Sequence, residues 1–275
     1  IKILRLNSQR HVLILTMHHI VSDGWSFGVF WRELSTLYKA YNNGENSPLA
    51  QLPIQYADYA LWQREWLQGN KVENQLKYWK QQLADAPPLL ELPSDYPRPP
   101  VETFRGGRIS FNISTQVTQE LNNLSQKYGC TLFMTLLTAW SSLLYRYSGQ
   151  SDILVGTPIA NHNQREIEPL IGFFVNTLVL RTQFEENISF AELLKTVRQT
   201  AIEAYAHQDL PFEQLVKELQ PQRSLSHNPL FQVMFALQNT DMGAIDFPEL
   251  TSTKLEMESV VSKFDLFLSM NETST

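Results

Sequence analysis

The sequence predicts a two-lobed α+β protein, and three observations carry that prediction. Apolar runs with β character alternate with amphipathic helical runs along the chain. The run APPLLELPSDYPRPPVETFRGG holds six prolines, which neither a packed helix nor a central strand tolerates. Beyond it the pattern of strands and helices restarts.

The elements follow in order. IKILRL and HVLILTMHH flank Asn7-Ser8-Gln9-Arg10 and predict a β-hairpin. SFGVFWRELSTLYKAY sets Phe27, Phe30, Trp31, Leu34, Leu37, Tyr38 and Tyr41 at helical spacing, and NNGENSP ends that helix. QYADYALWQREWLQ and NQLKYWKQQLAD predict two more helices. The proline-rich run, residues 87–107, is an ordered extended connection between a first lobe at 1–86 and a second at 108–275. In the second lobe, RISFNIS predicts a strand, and TQVTQELNNLSQKYG and LFMTLLTAWSSLLYRYS predict helices. SDILVGTPIA and GFFVNTLVLRTQF predict strands, and ISFAELLKTVRQTAIEAYAHQ a long helix. LFQVMFALQN and SKFDLFLSM read as buried strands.

Composition narrows the function. The 275 residues are 43% hydrophobic and 18% charged, with a net charge of −6. That balance suits a globular protein with a sizeable core and argues against nucleic acid or an anionic membrane as partner. No apolar run reaches the roughly 18 residues of a membrane span, and no signal-peptide pattern occurs. The chain opens inside a strand without Met, which suggests a fragment. One cysteine, Cys130, excludes an internal disulfide framework and fits a reducing, cytoplasmic setting; its context reads as the start of a buried helix.

The segment TMHHIVSDGWS is the chemical focus. If HVLILTMHH stays extended, His18 and His19 face opposite ways and do different jobs. Asp23 and Gly24 lie in the turn before the next helix, where glycine suits a positive φ and Asp bonds local backbone or a distant Arg. A histidine beside a helix N-terminus can act as a general base, with a reference pKa of about 6.5. A metal site does not follow from this pattern, because adjacent strand residues diverge and no second cysteine exists. A Ser-His-Asp hydrolase lacks its G-x-S-x-G elbow.

MHHIVSDGWS resembles the active-site motif of the condensation domains of nonribosomal peptide synthetases. These belong to a larger acyltransferase superfamily sharing H-x-x-x-D. Further motifs occur in the family's order: YADYALWQ (Tyr56 to Gln63), IGFFVNTLVLR (Ile171 to Arg181), HQDLPFEQLV (His207 to Val216) and RSLSHNPLFQVMFALQN (Arg223 to Asn239). There are departures. The family's two earliest motifs are absent and are expected upstream of Ile1, and the chain after Thr275 also looks cut. His162 stands where Arg is usual, and Phe267 is bulkier than usual.

The resemblance implies two chloramphenicol acetyltransferase-like lobes of mixed sheets flanked by helices, with an active-site tunnel at their junction. Residues 1–86 would then be the C-terminal part of the N-terminal lobe. It implies His19 as the catalytic histidine and His18 as its structural neighbour. Asp23 would be a structural residue ion-paired with Arg181, and Gly24 would bring an N–H to the oxyanion. Trp25, Ser26, Asn176 and Thr177 are candidates for lining the tunnel. No metal or bound cofactor is implied. Substrates arrive as phosphopantetheine thioesters on upstream donor and downstream acceptor peptidyl carrier domains, next to an adenylation domain. Ile20-Val21-Ser22 resembles the type that joins two L-configured residues.

Other roles within the superfamily remain distinguishable. Epimerization domains follow their D-G with Val-Ser-Trp, whereas Gly24 is followed by Trp25-Ser26. Heterocyclization domains replace the histidines with Asp. A coenzyme A-dependent acyltransferase shares only H-x-x-x-D, and a carrier-recruiting inactive domain has no need of His19. Tyr56, Asp58, Tyr59 and Trp62 sit at helical spacing and read mainly as packing. His207, Asp209 and Pro211 read as a helix end and turn, and Ser226, Asn228 and Pro229 as a turn before a strand.

Overall fold

The computed structural model describes residues 1–222, 224–238, 246–255 and 260–273. Arg223, Asn239 and Thr275, which bound sequence features named above, lie outside them. The N-terminal hairpin forms as predicted: β1 (Lys2–Arg5) runs antiparallel to β2 (His11–Ile14), with Lys2 opposite Ile14. Asn7 builds the turn, its Oδ1 accepting the N–H groups of Gln9 and Arg10 at 2.9 and 2.8 Å. β2 stops at Ile14, short of the two histidines. The chain then makes one 3₁₀ turn, His19–Val21, and enters α1 (Gly24–Asn42).

Internal contacts divide the chain into two compact units. The first holds Ile1–Gln63, Ala160–Val175 and Thr240–Lys254. Its small core joins Tyr59, Ile167, Leu170 and Phe174, with Leu52, Ile54 and Tyr56 packed against them. Tyr56 and Tyr59 come from α2 (Tyr56–Trp66), where the predicted helical spacing turns both rings to one side. Asp58 ties the start of α2 by accepting the Gln55 N–H at 2.8 Å.

The second unit holds Arg64–Ile159, Asn176–Asn239 and Leu255–Thr275. A four-stranded sheet runs β4-β3-β5-β6, from β3 (Asp152–Ile159), β4 (Asn176–Gln183), β5 (Val233–Gln238) and β6 (Leu266–Asn271). β3 and β4 are antiparallel, whereas β5 is parallel to both β3 and β6. The inner strands read as near-continuous apolar runs because both their faces are covered: the consecutive residues Ile153, Leu154 and Val155, and Val233, Met234 and Phe235, are all buried. The helices are α3 (Asn70–Gln82), α4 (Thr115–Lys127), α5 (Leu132–Ser148), α6 (Phe190–Ala206) and α7 (Phe212–Leu219). Side-chain caps explain several starts: Ser114, Thr131 and Ser189 each accept a first-turn N–H, Ser189 in a capping box with Glu192. Trp79 on α3 is buried and donates its indole N–H to the His207 carbonyl at 2.8 Å.

Four expectations need correction. RISFNIS forms no strand; Ile109 is 91% exposed and Ser114 belongs to the cap of α4. The only bridge near it among the described residues is Arg105 with Val261, so its alternation finds no ladder. β6 is an exposed edge rather than a buried strand, so the bulk of Phe267, itself exposed, costs no packing. β4 begins at Asn176, not Gly172, because the N–H groups of residues 172, 174 and 175 are taken by side chains. Cys130 is half-buried and lies just before the cap residue of α5; burial pushes its thiol up, with Arg198 opposing. No helix among the described residues is long and apolar enough to cross a membrane.

Candidate active site

The two histidines diverge because of the 3₁₀ turn, which replaces the strand alternation expected for them. His18 caps the turn, its Nδ1 accepting the Ile20 N–H at 3.0 Å. His19 Nδ1 lies 2.7 Å from the Ser22 carbonyl oxygen. A carbonyl can only accept, so neutral His19 carries its proton on Nδ1 and keeps a lone pair on Nε2. His18 is its mirror: Nδ1 accepts, so the proton of the neutral ring is on Nε2. Adjacent residues of one type thus hold opposite tautomers, and His19 is the one with a basic Nε2. The Phe173 ring meets His19 edge-on, with centroids 5.1 Å apart.

Asp23 is 3% exposed and serves as the N-cap of α1. Its Oδ1 accepts the Ser26 N–H and hydroxyl at 2.9 and 2.8 Å. Its Oδ2 accepts the N–H groups of Phe174 and Val175 at 2.9 and 3.2 Å. Arg181 is engaged elsewhere. Its Nε and Nη2 pair with Asp152, Nη2 at 2.6 Å from Oδ2. Its Nη1 donates to the Gln82 and Ala84 carbonyls at the end of α3. The expected Asp23–Arg181 ion pair is therefore corrected: each residue has its own partners, and Arg181 is a structural residue of the sheet.

Gly24 opens α1, where an N–H has no acceptor inside the helix. Its φ is not positive, contrary to the turn expected there, and a Cβ added to it would meet nothing within 4 Å. Glycine is thus not demanded by packing; it leaves open space beside an N–H at the positive end of a helix dipole. Trp25 donates its indole N–H to the Glu168 carbonyl at 2.8 Å and stacks on His162, centroids 4.7 Å apart. Burial lowers the His162 pKa, partly offset by its bond to the Ala160 carbonyl and by Asp23 and Glu168. Ser26 is fully buried, its hydroxyl shared between Asp23 and the Gly172 carbonyl.

Asn176 commits all its hydrogen-bonding capacity inside the second unit. Nδ2 donates to the Gln208 and Leu210 carbonyls at 2.8 and 2.9 Å, and Oδ1 accepts the N–H groups of Thr177 and Phe212 at 2.8 and 2.9 Å. Asn176 thus clamps the HQDLPF turn, with His207 ending α6 and Pro211 preceding α7. Thr177 pairs opposite Pro158 in the sheet. Asn228 holds its loop by donating to the Lys263 carbonyl at 2.6 Å.

Sequence reasoning missed the bracing residues: the Ser22 carbonyl, Phe173, His162 and the Tyr56 hydroxyl, which donates to the Phe173 carbonyl at 2.9 Å. Ser22, Phe173 and Tyr56 lay inside family motifs and His162 stood out as a departure, but the motifs gave no sign of these bracing contacts. Among the described residues no cluster of His, Cys, Asp or Glu could hold a metal.

A histidine whose Nε2 keeps its lone pair, close in sequence to a helix N-terminus in a mixed α/β fold, has the arrangement of a general base. The family profile described as "Condensation domain" matches residues 1–275. The chain belongs to that family. It is 50% identical over 271 residues to malpibaldin synthetase of Mortierella alpina, covering 98% of this chain and 5% of that protein. It is 47% identical over 271 residues to a chondramide synthase of Chondromyces crocatus, covering 98% and 7%. The crystal structure of the X-domain from teicoplanin biosynthesis superposes with a TM-score of 0.90 at 27% identity, covering 99% of this chain and 62% of that one. The chain thus spans less than a tenth of the length of these synthetases, and the α+β fold class expected from sequence holds.

Proposed function

We propose that this chain catalyses amide-bond formation in nonribosomal peptide synthesis, between a donor acyl or peptidyl thioester and the amine of an acceptor aminoacyl thioester. The observation that carries this is the His19 Nδ1 bond to the Ser22 carbonyl, which leaves Nε2 as a proton acceptor. The acceptor amine attacks the donor carbonyl; the C–N bond forms and the C–S bond breaks. His19 Nε2 takes the proton from the amine nitrogen and returns it to the departing thiolate, while the Gly24 N–H faces the oxyanion. The amine has a pKa of about 8 and is partly neutral already, so His19 serves orientation as well as proton transfer. General base catalysis contributes roughly 10²–10⁴-fold.

In this reading Asp23, Ser26 and His18 support the site, Trp25 lines the substrate path, and Arg181 and Asn176 act through architecture. The family's lobes would fall at 1–86 and 108–275, joined by 87–107. The domain binds no cofactor of its own. Both substrates ride on phosphopantetheine arms of upstream and downstream carrier domains, beside an adenylation domain, in the cytoplasm. The Ile20-Val21-Ser22 turn favours joining two L-configured residues.

The test uses the full-length polypeptide that carries this chain, with donor and acceptor carriers loaded and amide formation followed by intact-protein mass spectrometry. His19→Ala is expected to reduce product at least ~100-fold. Normal condensation by the variant would make His19 structural. A wild type that binds loaded carriers without condensing them would make the domain a recruiting module.

A further inference from the structure

Two consecutive phenylalanines of the GFFV segment have different neighbours. Phe174 is 2% exposed and packs on Tyr56 and Tyr59, with centroids at 5.1 and 4.7 Å. Phe173 instead meets His19, its ring plane 88° from the imidazole. The backbone carrying both is fastened at each residue. Gly172 donates to Ser26 Oγ at 3.1 Å, the Phe173 carbonyl accepts from Tyr56, and Phe174 and Val175 donate to Asp23. Gly172 permits this, because a Cβ there would lie 2.2 Å from the Tyr56 ring.

The Ser22 bond fixes one nitrogen of His19 but still allows the ring to pivot about it. A perpendicular aromatic neighbour on its flank removes that freedom. We infer that Phe173 is a positioning residue for His19, and that the Tyr56 hydroxyl sets Phe173 by holding its carbonyl. The YADYALW motif then reaches the reacting histidine through one hydrogen bond and one ring contact. Burial, followed by the Asp23 carboxylate, raises the Tyr56 pKa, so its hydroxyl stays protonated as the donor this link needs. The geometry stands by itself; its kinetic consequence rests on the condensation reading.

The test compares Phe173→Leu, Tyr56→Phe and the double variant in the full-length polypeptide. The first readout needs no activity: the rate at which diethyl pyrocarbonate modifies His19, located by peptide fragmentation, with His18 as internal reference. Phe173→Leu is expected to raise the His19-to-His18 ratio by about threefold or more, as the ring's flank is uncovered. Tyr56→Phe should give a smaller rise, and the double variant no more than Phe173→Leu alone, as expected of residues acting in series. In the condensation assay, Phe173→Leu should lower the rate about tenfold at saturating carriers with KM unchanged, and Phe173→Tyr should retain activity. An unchanged modification ratio in Phe173→Leu, or effects that multiply in the double variant, would overturn the inference. If wild type forms no amide, the proposed function falls while the modification ratio still decides the positioning role.

Discussion

Asp23 and Asp152 are two sequestered carboxylates held in opposite ways. Asp152 is gripped by a cation, with Arg181 donating through Nε and Nη2 and Gln183 adding a longer contact at 3.3 Å. Asp23, the more buried, is held by neutral donors alone: three backbone N–H groups and one hydroxyl. Hydrogen bonds to a charged acceptor are roughly twice as strong as neutral ones, so several backbone N–H groups can replace a counter-ion. A buried charge in a sequence therefore requires donors, not necessarily a cation. At Asp23 those donors have a second effect, because accepting them fixes the backbone beside His19.

Asp23→Ala orphans three N–H groups, each worth about 1–3 kcal/mol when buried and unsatisfied, while the Ser26 hydroxyl keeps the Gly172 carbonyl as acceptor. With partial relaxation we expect a loss of about 4 kcal/mol in urea unfolding, and about half that for Asp23→Asn, whose amide turns donors toward donors. A loss under ~1 kcal/mol would mean that water replaces the carboxylate and that the neutral cradle is weak. Asn176→Ala should cost about 3 kcal/mol, since it releases two carbonyls and two N–H groups around the HQDLPF turn. Asp152→Asn should cost only about 1–2 kcal/mol, because Arg181 keeps its two carbonyls at the end of α3. Raising the salt should shrink that last difference and leave the Asp23→Asn difference unchanged, because only one of the two sites contains an ion pair.

Asp209 supplies the smallest effect and a third style of holding. It has one amide partner, Gln75 at 3.3 Å, and burial raises its pKa against Gln75, His207 and Lys71. An acid whose folded pKa is raised contributes stability below its unfolded value, about 3.9, and loses it as pH rises through the folded value. Asp209→Asn should therefore gain on wild type as pH climbs through that window and stay level above it. Water around the side chain keeps the gain under ~0.5 kcal/mol; unfolding curves at acid and neutral pH would show its sign.

Local pattern was readable in the sequence where neighbours along the chain decide the outcome. The hairpin around Asn7, the helix from Leu132 to Ser148 and the capped helix after Ser189 follow from turn chemistry and periodicity. The histidine motif was also readable as a family signature, although the opposite roles of His18 and His19 arise from a 3₁₀ turn rather than from strand alternation. RISFNIS alternates like a strand, yet alternation cannot supply a partner edge. Arg181 was assigned to the wrong carboxylate because its partner is a diagonal neighbour across β3 and β4, a register invisible before the sheet is known. Phe173 was unreadable for a similar reason, since its contact with His19 depends on donors far away along the chain.

The Asp23 cradle also orders events in time. Its Oδ2 waits for an N–H made 151 residues later, and Ser26 waits nearly as long for Gly172. At about 5–20 residues per second of synthesis, that oxygen stays hydrated for about 8–30 s before its partners are made. The motif that reads first in the sequence is thus among the last parts of its unit to be completed in the cell.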